Sequence, residues 1–145
     1  MNAIIKNIIW LWIILILAAS CSKTEETEPE ATKFSEKTVI GAWKGVSIQS
    51  GYDPSPFTLS IEKIEVGKKC GEIDNLGQCD YDYIFKEKLG ESLIFREELK
   101  SSAINPNCIN GTSVLSIINQ DKLKYDWVGD DHPRNTASAT LIRVK

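Results

Sequence analysis

The single histidine of the chain, His132, sits in the acidic turn Asp130-Asp131-His132-Pro133 and has the residue type of a general base. Such a base also needs a nucleophile within reach and an acid that orients the imidazole. No Gly-x-Ser-x-Gly elbow, phosphate-cradling glycine loop or His-Glu-x-x-His pair accompanies it. It therefore reads as part of a solvated turn, at most a weak cation contact, and no catalytic residue is assigned. Asp80 with Asp82 and Glu97 with Glu98 are paired acids on strands, and with nothing converging on them both pairs are expected on outward, solvated faces. Cys70 and Cys79 lack zinc-ligand spacing, so neither a metal nor a cofactor is expected. Asn110-Gly111-Thr112 matches a glycosylation acceptor, but Asn-Gly is better explained as a turn. The remaining constellation is aromatic: Trp43, Phe57, Tyr81, Tyr83, Phe85, Phe95, Tyr125 and Trp127. Buried phenols and indoles seek hydrogen-bond partners, so Tyr81, Tyr83, Phe85, Phe95, Tyr125 and Trp127 are candidates to line a site for a small apolar or amphipathic ligand.

The elements that would position these residues are strands. Phe57, Leu59 and Ile61, then Cys79, Tyr81, Tyr83 and Phe85, then Leu123, Tyr125 and Trp127 recur with period two. That alternation marks half-buried strands. Weaker runs cover 39–49, 69–74, 92–99, 112–119 and 136–144, with turn residues such as Asp53-Pro54-Ser55-Pro56, Asn110-Gly111 and Gly129-Asp130 between them. The sum is an all-β domain of about eight strands, an antiparallel meander that closes into a barrel or sandwich. A barrel of eight strands is just wide enough to be filled by its own side chains or to hold one small ligand.

The N-terminus is a separate object. Met1 to Lys6 is short and basic, and Ile8 to Ala19 is an unbroken apolar run. As a helix its twelve residues span roughly 18 Å, short of the roughly 30 Å needed to cross a bilayer. Small residues and a cysteine follow, and Leu17-Ala18-Ala19-Ser20-Cys21 resembles the lipobox of bacterial lipoproteins. The resemblance implies a signal peptide over 1–20, removed on export, and lipid (palmitate among the acyl chains) attached at Cys21. It also implies residence in the cell envelope, with the outer membrane favoured because Ser22 stands where an inner-membrane sorting Asp would. Residues 22–37 hold five Glu and three Lys with little apolar surface and read as a flexible tether. Fully extended, those residues reach roughly 50 Å. The domains expected are thus 1–20, 21–37 and 38–145. The chain carries a formal charge of -3, and loss of Lys6 with the signal makes it more acidic. This excludes a strongly basic nucleic-acid binder.

Gly41-Ala42-Trp43 resembles the Gly-x-Trp that opens the first strand of lipocalin-like barrels, which often carry a basic residue in the last strand, matched here by Arg143 in Thr140-Leu141-Ile142-Arg143-Val144. The resemblance implies an up-and-down barrel in which the guanidinium lies over the Trp43 indole and ties the first strand to the last. Short segments around Cys79, Cys108 and Tyr125 are similar to small secreted bacterial domains of this kind.

With Cys21 acylated, three cysteines remain in an oxidising compartment and at least one cannot pair within the chain. A hairpin turning at Lys88-Leu89-Gly90-Glu91, with Glu87 opposite Ser92, sets Cys79 across from Lys100. Cys108 can return there along the following connection, whereas Cys70 lies roughly 13 Å from that end of its strand. Cys79–Cys108 is the expected bridge, with Cys70 free; a Cys70 bridge or three buried thiols are the alternatives. Functionally the sequence points to a non-catalytic envelope lipoprotein that binds a small ligand. The alternative is an interaction or inhibitor protein whose loops at 101–110 and 129–135 recognise an envelope or extracellular macromolecule.

Overall fold

The computed structural model describes residues 35–75, 79–101, 105–130 and 136–145. The expected signal peptide over 1–20, Cys21, most of the expected tether over 22–37 and His132 lie outside the described residues. A 3-10 turn over Glu36–Thr38 leads into eight strands: β1 (Gly41–Gln49), β2 (Ser55–Ile61), β3 (Lys69–Asp74), β4 (Tyr81–Leu89), β5 (Ser92–Leu99), β6 (Gly111–Asn119), β7 (Lys122–Gly129) and β8 (Thr136–Arg143). Each pairs antiparallel with its neighbour in sequence, and β8 returns to β1, closing an up-and-down barrel. Closure leaves no unpaired sheet edge.

The alternation in sequence becomes the inside and outside of this barrel. Phe57, Leu59 and Ile61 on β2 point inward, as do Leu93 and Phe95 on β5 and Leu123, Tyr125 and Trp127 on β7. One end, where β1 begins and β8 finishes, is filled by Trp43, Leu59, Leu93, Leu115, Leu123 and Leu141, all fully buried. Toward the other end the inward positions of β1, β6 and β8 hold Ser47, Gly111 and Ala137, which are small. Size along the interior is therefore graded, and the barrel is packed at one end and hollow at the other.

The filled end is sealed by the expected pair. The Arg143 guanidinium lies 4.1 Å from the Trp43 ring centroid. Its nitrogens also donate to the carbonyls of Ile40 (3.0 Å), Thr38 and Gln120 (3.0 Å), while Trp43 Nε1 donates to Val39 O at 2.8 Å. Gly41 is required here twice over. Its φ of 136° disfavours a side chain, and an added Cβ would stand 2.7 Å from Arg143 Nη1. The chain thus enters the barrel at its sealed end.

The register of the β4–β5 hairpin corrects the expected one. Leu89, not Glu87, faces Ser92, because the turn contains only Gly90 and Glu91. A bulge between Phe85 and Glu87 takes back one of those two residues, so Tyr81 faces Leu99 and Asp80 O accepts from Lys100 N at 2.9 Å. The net slip of one residue leaves Cys79 beside the start of the connection. Cys79 and Cys108 are joined, with Cα atoms 5.6 Å apart, and Cys70 is buried and free.

Candidate binding cavity

The hollow end opens as a cavity of about 520 Å³. Its apolar wall is made by Phe57 from β2, Ile73 from β3, Tyr81 from β4, and Tyr125 and Trp127 from β7. Ser47, Asp53, Ser55, Asn75, Asn105 and Asn107 form a polar rim. The bridge Cys79–Cys108 lies on this rim and fastens the β5–β6 connection to the start of β4. Asn110 holds the far end of that connection, accepting from Leu99 N through Oδ1 (2.8 Å) and from Asp130 N through its carbonyl (3.0 Å).

The six aromatic residues proposed to line a site divide between the two halves of the barrel. Tyr81, Tyr125 and Trp127 line the cavity. Tyr83, Phe85 and Phe95 belong to the packing beneath it, where the Tyr83 and Phe95 rings stack at 4.2 Å and Phe85 tilts against Phe95 at 5.4 Å. Phe57 joins the cavity set, its ring 5.1 Å from that of Tyr125.

Glu97 is the residue that the sequence reading misplaced. Expected outward with Glu98, it is instead only 2% exposed and lies among the residues that line the cavity. Consecutive strand residues face opposite sides of a sheet, so one of the two had to point inward. Leu93, Phe95, Glu97 and Leu99 share one phase, and that phase was the available signal. Asp82, by contrast, is half-exposed on the outer face, 2.8 Å from Lys69 Nζ.

Hydroxyl groups hold the Glu97 carboxyl. Tyr125 Oη donates to Oε1 at 2.8 Å, Ser113 is a second side-chain partner, and the Tyr83 and Ser113 hydroxyls meet at 2.8 Å. Burial raises the Glu97 pKa to about 7, because desolvation of the charged form outweighs these hydrogen bonds. Burial likewise pushes Tyr81 up to about 12 and Tyr125 well above the ordinary phenol value, with the nearby Glu97 charge acting in the same direction. The Trp127 indole rides over Gly111, and its Nε1, although buried, has no acceptor among the described residues. The cavity therefore offers a carboxyl, an indole donor and aromatic faces in a partly dry setting. That inventory suits recognition of a small molecule.

No family model matches the chain, and no curated protein matches it. Among solved structures it is similar to a redesigned beta barrel at 11% identity, covering 75% of this chain and 94% of that one with a TM-score of 0.53. At that identity the likeness bears on architecture alone, and it shows the fold to be a closed β-barrel.

Proposed function

We propose that the protein is a non-catalytic, membrane-anchored lipoprotein of the cell envelope whose barrel mouth binds one small amphipathic molecule. The observation that carries the binding part is the graded interior, sealed by Trp43 and Arg143 at one end and open over Phe57, Tyr125 and Trp127 at the other. A volume of about 520 Å³ lies in the range of small-molecule sites. The anchoring part rests on the lipobox-like Leu17-Ala18-Ala19-Ser20-Cys21. Ser22, standing where an inner-membrane sorting Asp would, supports outer-membrane placement.

Mass spectrometry of the native, membrane-extracted protein tests both parts together. The expected result is acyl mass on an N-terminal Cys21 and a non-covalent small molecule released on denaturation. An intact Met1 N-terminus without acyl mass would overturn the anchor. Failure to bind the neutral fluorophore N-phenyl-1-naphthylamine, together with no co-purifying molecule, would overturn the binding site.

An interaction protein is the second reading, and one observation favours it. Val46 and Ile48 on β1 and Ile142 on β8 are exposed around a shared shallow groove on the outer wall. Exposed apolar groups in a cluster commonly mark contact surfaces.

A further inference from the structure

We propose that the cavity takes a small amine, whose protonated nitrogen pairs with Glu97 on the floor while its aromatic or aliphatic body packs against Phe57, Tyr125 and Trp127. This rests on the ligand-binding reading above and names the class of ligand.

Glu97 is a residue that the packing of the barrel does not call for. Leu93, Phe95 and Leu99 share the inward phase of β5, and an apolar side chain at 97 would continue it. A carboxylate buried without a counter-charge destabilises a fold even when it is hydrogen-bonded. Among the described residues Glu97 forms no ion pair: Arg96, the preceding residue, points to the opposite face and is held bidentately by Asp130, so its charge reaches Glu97 only at a distance. Groups that lower stability while converging on a cavity are characteristic of binding and catalytic sites.

Three further observations give the sign of the missing partner. Among the described residues, the charged side chains that line the cavity are Glu97 and Asp53, both acids. The walls near Glu97 are rings, and the faces of tyrosine and tryptophan attract cations. The donors already present at the carboxyl are neutral hydroxyls, Tyr125 and Ser113, so an ammonium supplies the one kind of interaction the site lacks. An anionic ligand would instead meet two carboxyls.

The groups facing Glu97 are Tyr81 and Tyr83 from β4, Ser113 from β6 and Tyr125 from β7, with Cys70 of β3 behind Tyr83, and the charge of Arg96 acts on it from the outer face of its own strand. Arg96 apart, which Asp130 already holds, none of these is cationic, and with burial raising its pKa to about 7 Glu97 is the one among them that changes charge between pH 5 and pH 8.

The test compares 2-phenylethylamine with 2-phenylethanol, which share a body and differ in the charged group, by competition against N-phenyl-1-naphthylamine as a neutral reporter. At pH 8 the wild-type protein should prefer the amine by at least about tenfold, the order expected for a desolvated ion pair against a hydroxyl contact. Glu97→Gln should abolish that preference, read as the ratio of the amine and alcohol competition constants so that any change in reporter affinity cancels. A second arm needs no variant: between pH 8 and pH 5 the wild-type preference should fall at least about tenfold, since the amine stays charged and Glu97 does not. Equal binding of amine and alcohol at pH 8, or a preference that survives both Glu97→Gln and pH 5, overturns the amine while the bound reporter preserves the cavity. A reporter that fails to bind, together with no co-purifying molecule and no direct binding of the amine by calorimetry, overturns the cavity reading and this inference with it.

Discussion

Arg143 covers the Trp43 indole at 4.1 Å and reaches back to three backbone carbonyls, so one guanidinium joins the last strand, the first strand and the segment that enters the barrel. A cation–π contact contributes about 0.5–2 kcal/mol, and hydrogen bonds from a charged donor about 1.5–3 kcal/mol each in favourable settings. Arg143→Ala should therefore destabilise the domain by about 2–4 kcal/mol in urea denaturation. Arg143→Lys should recover only part of this, because a single ammonium cannot address carbonyls of Thr38, Ile40 and Gln120 from one plane. Full recovery by lysine would mean that charge alone matters.

The Cys79–Cys108 bridge closes a 29-residue separation and should contribute about 3–4 kcal/mol in the loop-entropy picture. Reduction, or Cys108→Ser, should lower the urea midpoint accordingly and loosen the rim that these cysteines form. Cys70 behaves differently: its thiol donates to Tyr83 O at 3.0 Å, and burial pushes it up to about 11. At pH 8 it should resist iodoacetamide in the folded protein and react once the chain is unfolded. Rapid native labelling of Cys70 would contradict its burial.

Period two made the strands legible, and eight of them appear where the alternation and turn residues put them. The bridge was legible for a robust reason, since a hairpin returns the chain to its own start and tolerates a one-residue slip. Glu97 is hard to place from sequence because two adjacent acids read as one solvated pair, although a pleated strand separates neighbours to opposite faces. The cavity was hidden for another reason. It depends on Ser47, Gly111 and Ala137 coming to one end together, which only the register of β1, β6 and β8 determines.

Glu97 also makes stability depend on pH with a definite sign. Burial raises its pKa from 4.5 to about 7, so between those values the folded chain holds a proton that the unfolded chain has released. Stability from this group is full below pH 4.5 and lost as pH rises through 7, by up to about 3 kcal/mol. Glu72 works oppositely at lower pH: Lys100 and Lys69 hold it at about 2, so its contribution is present above pH 4.5 and lost as the pH falls toward 2. Glu97→Gln should flatten the wild-type decline between pH 5 and pH 8 and be the more stable protein at pH 8. Urea midpoints at unit pH steps read this directly, and an unchanged slope in the variant would show that the carboxyl is not desolvated.

Gly111 gives the sharpest test of how the cavity wall is built. It faces Glu97 on β5 and Gly129 on β7, and a Cβ added to it would stand 2.1 Å from Trp127 Nε1 and 2.4 Å from Cε2. The backbone at 111 sits in a paired strand and has little freedom to retreat, so the indole must move, and the space open to it is the cavity. Gly111→Ala should therefore destabilise the protein by about 1–3 kcal/mol through overpacking and reduce binding of N-phenyl-1-naphthylamine. The cause can be isolated with Trp127→Phe, whose smaller ring lacks the atoms that collide. In that background Gly111→Ala should have less than half its effect on stability, a coupling that double-mutant analysis resolves for residues in contact. Additive effects of the two substitutions would mean that Gly111 is held to glycine by its own backbone rather than by the indole above it.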